Sequence, residues 1–298
     1  MKFRKKVAIA FLARDCEKTL PVFLKKIEQL RTYFKDSGVF VVENGSKDRT
    51  RNNLRAYAKS HPKVKLDLFD DPNLDKLSRI EKMVILRNQC LDLVRESKYV
   101  PDYYIIIDGD LDYNVASVVR SLENAPDDWT ALFADGRYFL KIGPIRIPVL
   151  YYDLFAYLPE PPISEVGDCM TQVEMLELRP FTQRALKKNR YLPCRSAFGG
   201  VGIYRYDAVK DLRYVAEENK RSSEFDHLCE HIPFNREVLK YGTLYVCRDM
   251  KVNYEPIGFK TWFAIIAMEH GKERELKTMK RIYRKVFSWH DKGEGRSE

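Results

Sequence analysis

Three carboxylates at alternate positions, Asp108, Asp110 and Asp112, follow an apolar run in the stretch DYYIIIDGDLDYN, from Asp102 to Asn114. Tyr103 to Ile107 is β-branched and aromatic and has the length of a buried strand. Gly109 lets the backbone bend where that strand stops. Like charges this closely spaced repel, and burying them unpaired costs several kcal/mol. A hard divalent cation such as Mg²⁺ or Mn²⁺ takes carboxylate oxygens and removes the conflict. The arrangement therefore points to a metal site that holds a phosphorylated ligand at the carboxyl end of a strand. The plain alternative is an acidic turn that caps the next helix, with Asp112 or Asn114 as N-cap.

Composition narrows the partners. In 298 residues, 52 Lys and Arg face 43 Asp and Glu, a formal net charge of +9 that favours an anionic ligand without choosing among nucleotide, phosphorylated substrate, nucleic acid and anionic membrane. With 45% hydrophobic and 32% charged residues the chain reads as an ordinary globular protein. The six cysteines (Cys16, Cys90, Cys169, Cys194, Cys229 and Cys247) are scattered and form no Cys-x-x-Cys, which argues against a zinc site and for a reducing compartment. Three of them, Cys16, Cys90 and Cys229, fall in expected helices. The start MKFRKKVAIAFLARD mimics a secretory signal, but the apolar run Val7–Ala13 is short and meets Arg14 and Asp15 at once, so it reads as a first strand. No stretch of 18 apolar residues suggests a membrane span. The expected location is cytoplasmic, with peripheral contact at a membrane surface as a further option.

The elements that must position the carboxylates alternate. Strands are expected at Val7–Ala13, Val39–Val42, Val64–Phe69 and Tyr103–Ile107, separated by helical periodicity at 17–34, up to Ser60, and at Ile80–Val94. This pattern predicts βαβ units and a mostly parallel sheet, with ligands at the carboxyl ends of the strands. The loop ENGSKDRT (Glu43 to Thr50) and the Asp-x-Asp segment both lie at such ends. Beyond Thr130 the pattern becomes antiparallel or irregular, with a strand at Ala131–Ala134, the Tyr- and Pro-rich YYDLFAYLPEPP, two short helices on either side of Pro180, a Gly-rich turn in RSAFGGVGIYR, a segment at 223–241 helical at both ends and broken near Pro233, and a strand at Thr243–Cys247. The division expected is 1–125 as a nucleotide-binding half, 126–258 as an acceptor half, and 259–298 as a basic amphipathic helix (Lys272 to Trp289) and tail. That helix either docks its apolar stripe on the catalytic domain or lies in a membrane interface.

A short first strand, an acidic residue, Gly-Ser-x-Asp-x-Thr, and an Asp-x-Asp about 60 residues later resemble the GT-A glycosyltransferases, most closely those like glycosyltransferase family 2. The middle and C-terminal parts resemble the fungal capsule-associated mannosyltransferases more weakly, and the likeness spans roughly residues 5–250. It implies a Rossmann-like GT-A fold and a metal-dependent transfer of a sugar from a UDP- or GDP-sugar to a hydroxyl on a glycan or lipid-linked acceptor, with inversion favoured.

The same resemblance implies site residues. Glu43, Asn44 and Ser46 would meet the nucleoside, with a Gly-containing turn for close approach. Arg79 and Arg87 would brace the nucleotide or the acidic groups, although an Arg beside Asp can equally be a structural ion pair. Asp108 would contact the donor and, with Asp110 or Asp112, the cofactor Mn²⁺ or Mg²⁺, which neutralises the departing diphosphate. Gly199 and Gly200 match an acceptor loop, unless they serve a tight turn only. The base would lie in EFDHLCEH, with Glu224 also available: Glu230 or Asp226, with His231 as a further metal or phosphate contact. This segment departs from the family's usual Glu-Asp.

Two other activities compete with this reading. A sugar nucleotidyltransferase would need a Gly-rich phosphate loop after the first strand, where the chain has RDCEKT. A non-catalytic nucleic-acid-binding protein would need clustered Lys/Arg interleaved with aromatics, whereas positive charge here is spread out except at the C-terminal helix, so nucleic acid is not an expected partner.

Overall fold

In β1 (Phe3–Ala13), Val7, Ile9 and Phe11 point to one face and Ala8 and Ala10 to the other, and all five are fully buried. A strand covered on both faces needs no polar alternation. The computed structural model describes residues 3–161, 168–169, 171–221 and 225–269. Glu224 and the basic helix expected at Lys272 to Trp289 lie outside these residues.

The first half alternates as expected: β1, α1 (Leu20–Arg31), β2 (Phe34–Glu43), α2 (Thr50–Ser60), β3 (Val64–Leu68), α3 (Arg79–Glu96) and β4 (Tyr103–Asp108). Next come β5 (Asp112–Tyr113), α4 (Val115–Glu123), β6 (Trp129–Ile142), β7 (Ile145–Tyr151), β8 (Leu158–Pro159) and α5 (Gln172–Lys188). The described chain ends with β9 (Tyr191–Ser196), β10 (Val201–Arg205), α6 (His231–Val238), β11 (Thr243–Pro256) and α7 (Phe259–Glu269). The strands form one mixed sheet in the order β3-β2-β1-β4-β10-β6-β11-β9-β8, with β5 added to β11 and β7 to β6. From the pairings, β10 and β9 alone run against the other strands of that path, so the sheet is mostly parallel in direction.

Helices cover both faces. Ala8, Ala10, Val42, Ile106 and Phe133 share a core with α3, α5 and α6. Val7, Ile9, Val41, Ile107 and Ile203 share the other with α1, α2 and α4. Phe11 meets Phe23 of α1 edge-on with centroids 4.9 Å apart. No helix among the described residues is long and apolar enough to cross a membrane.

Several local expectations need correcting. Phe34 fits the helical spacing of α1 but begins β2. Cys16 lies in the turn before α1, not in a helix, and its N–H donates to Thr50 Oγ1 at 2.8 Å. In the described part of the segment at 223–241, from residue 225 on, helix begins at His231, where Pro233 falls in the first turn of α6 and sacrifices no helical bond. The two helices expected around Pro180 are one, α5. Proline in a helix interior loses a hydrogen bond and costs about 3 kcal/mol, but α5 starts on a Thr171–Glu174 capping box and buries Met175, Leu178 and Leu186, so packing outweighs the defect.

Phe133 is fully buried in β6 and meets Tyr204 of β10 edge-on at 5.7 Å. Phe133→Ala should therefore cost roughly 3–5 kcal/mol. Urea unfolding should show a lower midpoint with an unchanged slope; a shift worth less than about 1 kcal/mol would mean that this junction does not hold the two sheet halves together.

Candidate active site

The order β3-β2-β1-β4 reverses direction at β1: the chain moves outward through β2 and β3, then returns to pair β4 on the other side of β1. The crevice at the carboxyl ends of β1 and β4 is thus a topological switch point, the usual ligand site of such sheets. Asp108 is the last residue of β4 and pairs in register with Leu12. Gly109 is required there, because a Cβ on it would lie 2.5 Å from the Leu12 carbonyl oxygen.

The loops after β1 and β2 are laced together over this crevice. Asp15 N donates to Ser46 Oγ (3.0 Å), Lys47 N to Asp15 Oδ1 (2.7 Å), Glu17 N to Asp48 Oδ2 (3.0 Å) and Arg49 N to Glu17 Oε2 (2.7 Å). Asp48 also accepts from Thr50 N at 2.8 Å, so Asp48 and Thr50 build the turn. Glu43 is fully buried, accepting from Ser46 N and from Arg51 Nε, each at 2.6 Å. Arg51 then forks onto Asp70 at 2.9 and 2.5 Å. Glu43 thus holds the loop and Arg51, while Asn44 and Ser46 are the partly exposed members of the expected nucleoside edge.

The acidic end is organised by Arg87. Helix α3 begins on a Ser78–Glu81 capping box and carries Arg87 under the end of β4. The buried guanidinium donates through Nε to Glu230 Oε1 (2.9 Å) and through Nη2 to Asp108 Oδ1 (3.3 Å), and lies over the Phe198 ring at 4.7 Å. Burial pushes Asp108 up to about 7 against the pull of Arg87, with Asp110 and Glu230 adding to the rise. Burial also opposes charge on Glu230, but Arg87 and then His231 overcome it and hold the carboxyl at about 2. His231, 1% exposed, stacks on Phe198 at 4.0 Å, and burial plus Arg87 push it down to about 3, so it is neutral. Arg79 stands exposed at the first residue of α3, and Asn88 pins the backbone of Tyr214 through bonds of 2.9 Å to its N–H and its carbonyl.

The glycine loop closes the other side. Gly199 (φ +64°) and Gly200 (φ +88°) take backbone angles that suit glycine, and a Cβ on Gly199 would sit 2.0 Å from the Ala134 carbonyl oxygen. Gly200 O accepts from Asp108 N at 3.0 Å, and Gly199 N donates to Asp153 Oδ2 at 2.5 Å. Beside them Tyr152 and Tyr254 stack face to face at 4.0 Å.

The expected four-residue metal set is not gathered. Among the described residues no three His, Cys, Asp or Glu side chains converge to hold an ion. Asp112 is turned away to Lys26 (2.5 Å) and to Arg146 of β7, and His231 is buried beside Glu230 with its Nε2 3.6 Å from Oε1. Asn114, not Asp112, caps α4 by accepting from Ser117 N at 3.1 Å. Asp108 and Asp110 remain: the first is partly exposed, and the second is exposed with no hydrogen bond or ion pair to another described residue. Two carboxylates fit a Mg²⁺- or Mn²⁺-type ion only if ligand oxygens and water complete the shell, which is how such ions bind beside phosphates. Asp226 is exposed on the loop before α6, where its carbonyl accepts from Asn219 N at 2.9 Å. Sequence reasoning missed Arg51, Asp70 and Asp153; the last had one signal, a lone carboxylate in the aromatic run YYDLFAYL.

No family model matches the chain, and no curated protein matches it in sequence. Solved structures resemble it at low identity. Residues 1–349 of S. aureus TarS in complex with UDP-GlcNAc align at a TM-score of 0.48 and 13% identity over 89% of this chain and 66% of that one. The mannosyltransferase PcManGT from Pyrobaculum calidifontis, in complex with GDP-Man and Mn²⁺, aligns at 0.47 and 13% over 90% and 62%. GalNAc-T7 with UDP, GalNAc and Mn²⁺ aligns at 0.48 and 12% over 86% and 44%. The chain spans less than two thirds of each of these three.

Arg87 bridges two carboxylates that would otherwise lie close together with no positive partner between them. Arg87→Met should destabilise the protein by roughly 3–5 kcal/mol, the cost of leaving a buried charge unpaired. Equilibrium unfolding measures this directly; a loss below about 1 kcal/mol would show that apolar packing replaces the ion pair.

Proposed function

We propose that the chain is a metal-dependent glycosyltransferase of the GT-A type, moving a hexose from a nucleoside-diphosphate sugar to a hydroxyl acceptor with inversion. The observation that carries this reading is the pair Asp108–Asp110 at the carboxyl edge of β4, at the switch point beside β1, with one carboxylate partly exposed and the other exposed. Asp108 and Asp110 would hold the divalent cation. Once bound, that cation neutralises charge building on the departing diphosphate.

The protein's own groups do the remaining work. Arg87 fixes the rotamer of Asp108 from below. Glu43 sets the Asn44–Ser46 turn and orients Arg51, giving the nucleoside a rigid edge to lie against. The Gly199–Gly200 loop packs its backbone directly on β6 and Leu111 and keeps the end of β4 in place through Asp108 N. The nucleotidyltransferase alternative fits less well, because Asp15 N and Glu17 N in the loop after β1 are already spent on Ser46 and Asp48 and cannot cradle phosphates.

The test is a thermal-shift screen of UDP, GDP and their sugars with and without Mn²⁺, since a ligand that binds only the native state raises its melting temperature. A nucleotide should raise it, and more with the metal; no shift from any of them would refute the reading. Asp110 has no side-chain partner among the described residues, so Asp110→Asn should change the stability of the free protein by less than about 0.5 kcal/mol while abolishing the metal-dependent part of the shift. EDTA should stop transfer and Mn²⁺ or Mg²⁺ restore it; full turnover in EDTA would remove the metal from the mechanism.

A further inference from the structure

We propose that Asp153, in the segment after β7, is the residue that takes the proton from the acceptor hydroxyl. This rests on the transferase reading above and supplies the acceptor-side base that it needs. The carboxylates near the glycine loop differ in what they are free to do. Asp108 belongs to the donor side. Glu230 is buried and committed to Arg87, which keeps it at about 2, too weak a base to gain from proton transfer near neutral pH. Asp226 is exposed on a loop with no described bond to the glycine segment.

Asp153 is placed otherwise. It is partly exposed, its Oδ2 accepts Gly199 N at 2.5 Å, and the backbone N–H groups of Phe198 and Ala156 also face the carboxylate and hold it in place. The next glycine's carbonyl holds Asp108 N at 3.0 Å, so a single glycine pair ties the donor-side and acceptor-side carboxylates to each other. The backbone around Asp153 cannot drift. Its neighbour Tyr152 packs so tightly that a Cβ on Gly136 would come within 2.2 Å of the ring, and the same ring stacks flat on Tyr254. A general base must be both positioned and matched to the working pH. Burial raises Asp153 to about 6, with the charge of Glu230 adding to the rise and the Gly199 N–H opposing it.

The step balances. The acceptor O–H gives its proton to the Asp153 carboxylate as the oxygen forms a bond to the anomeric carbon of the donor sugar. The bond from that carbon to the diphosphate oxygen breaks, and its electron pair leaves with the nucleoside diphosphate. Attack from the face opposite the leaving group inverts the anomeric centre.

Asp153→Asn is the informative variant, because the amide oxygen can still accept Gly199 N–H and keep the loop while the base is gone. Transfer kcat should fall on the order of 10²–10⁴-fold, with donor KM and the donor-induced melting shift unchanged. Asp153→Glu, which keeps the carboxylate but displaces it by one methylene, should fall between Asn and wild type. Asparagine at wild-type kcat, glutamate no better than asparagine, or a product that retains the donor's anomeric configuration by NMR would each overturn the assignment. A wild-type protein whose melting no nucleotide sugar moves would remove the transferase reading, and this assignment with it. A wild type that transfers while Asp153→Asn keeps pace removes the assignment alone.

Discussion

One buried guanidinium holds together pieces of chain that are otherwise far apart. Arg87 comes from α3, Asp108 from the end of β4 and Glu230 from the start of α6, 143 positions beyond Arg87. With Arg87 in place, Glu230 stays ionised at almost no exposure and Asp108 can carry charge although burial resists it. The aromatic packing on this side adjoins it: Phe198 packs against both the guanidinium and the His231 ring, while Tyr214 meets that ring edge-on and stacks on Phe234. The Arg87 ion pair therefore fixes the acidic end of the crevice from beneath and leaves the surface above it open.

The opposite wall obeys a different constraint. The loops after β1 and β2 are short and polar, and each supplies acceptors for the other's backbone N–H groups. That reciprocity satisfies donors at the strand ends without water and makes one rigid rim out of two segments. The third wall, the glycine pair, is rigid for steric reasons. Side chains are excluded there because the strand ends and Leu111 occupy the space a Cβ would need. Rigid walls of three different kinds around two accessible carboxylates are what a preorganised site requires.

Much of the fold was legible because parallel strands buried on both faces write themselves as apolar runs, and β1, β3 and β4 were placed within a few residues. The position of Asp108 and Asp110 at a strand's end followed from the same signal. What was illegible came from distance. Nothing local in Val201–Arg205 says that it runs antiparallel between β4 and β6. Pro180 carries a strong local stop signal that the packing of Met175, Leu178 and Leu186 overrides. Within the site, Arg87 stood out by its neighbours in sequence, but its commitment to Glu230 depends on a contact between residues 143 positions apart. Asp153 was hidden for a further reason: one acid among tyrosines reads as a solubilising residue until Gly199 is seen donating to it.

The place of β10 in the sheet bears on how the chain can be made. Tyr103–Asp108 finds one neighbour in β1 early, but its other neighbour is not synthesised until some hundred residues later. During that interval a strongly apolar strand has a bare edge, the kind that recruits strands from other molecules. β6 cannot fill the gap, because in the finished sheet it must stay one strand away to leave room for β10. Release of a nascent chain before about residue 205 would therefore yield an edge-exposed, aggregation-prone species. The cut between halves that the sequence suggests near residue 125 falls inside this vulnerable interval. Dividing the protein there would separate β4 from the strand that completes it.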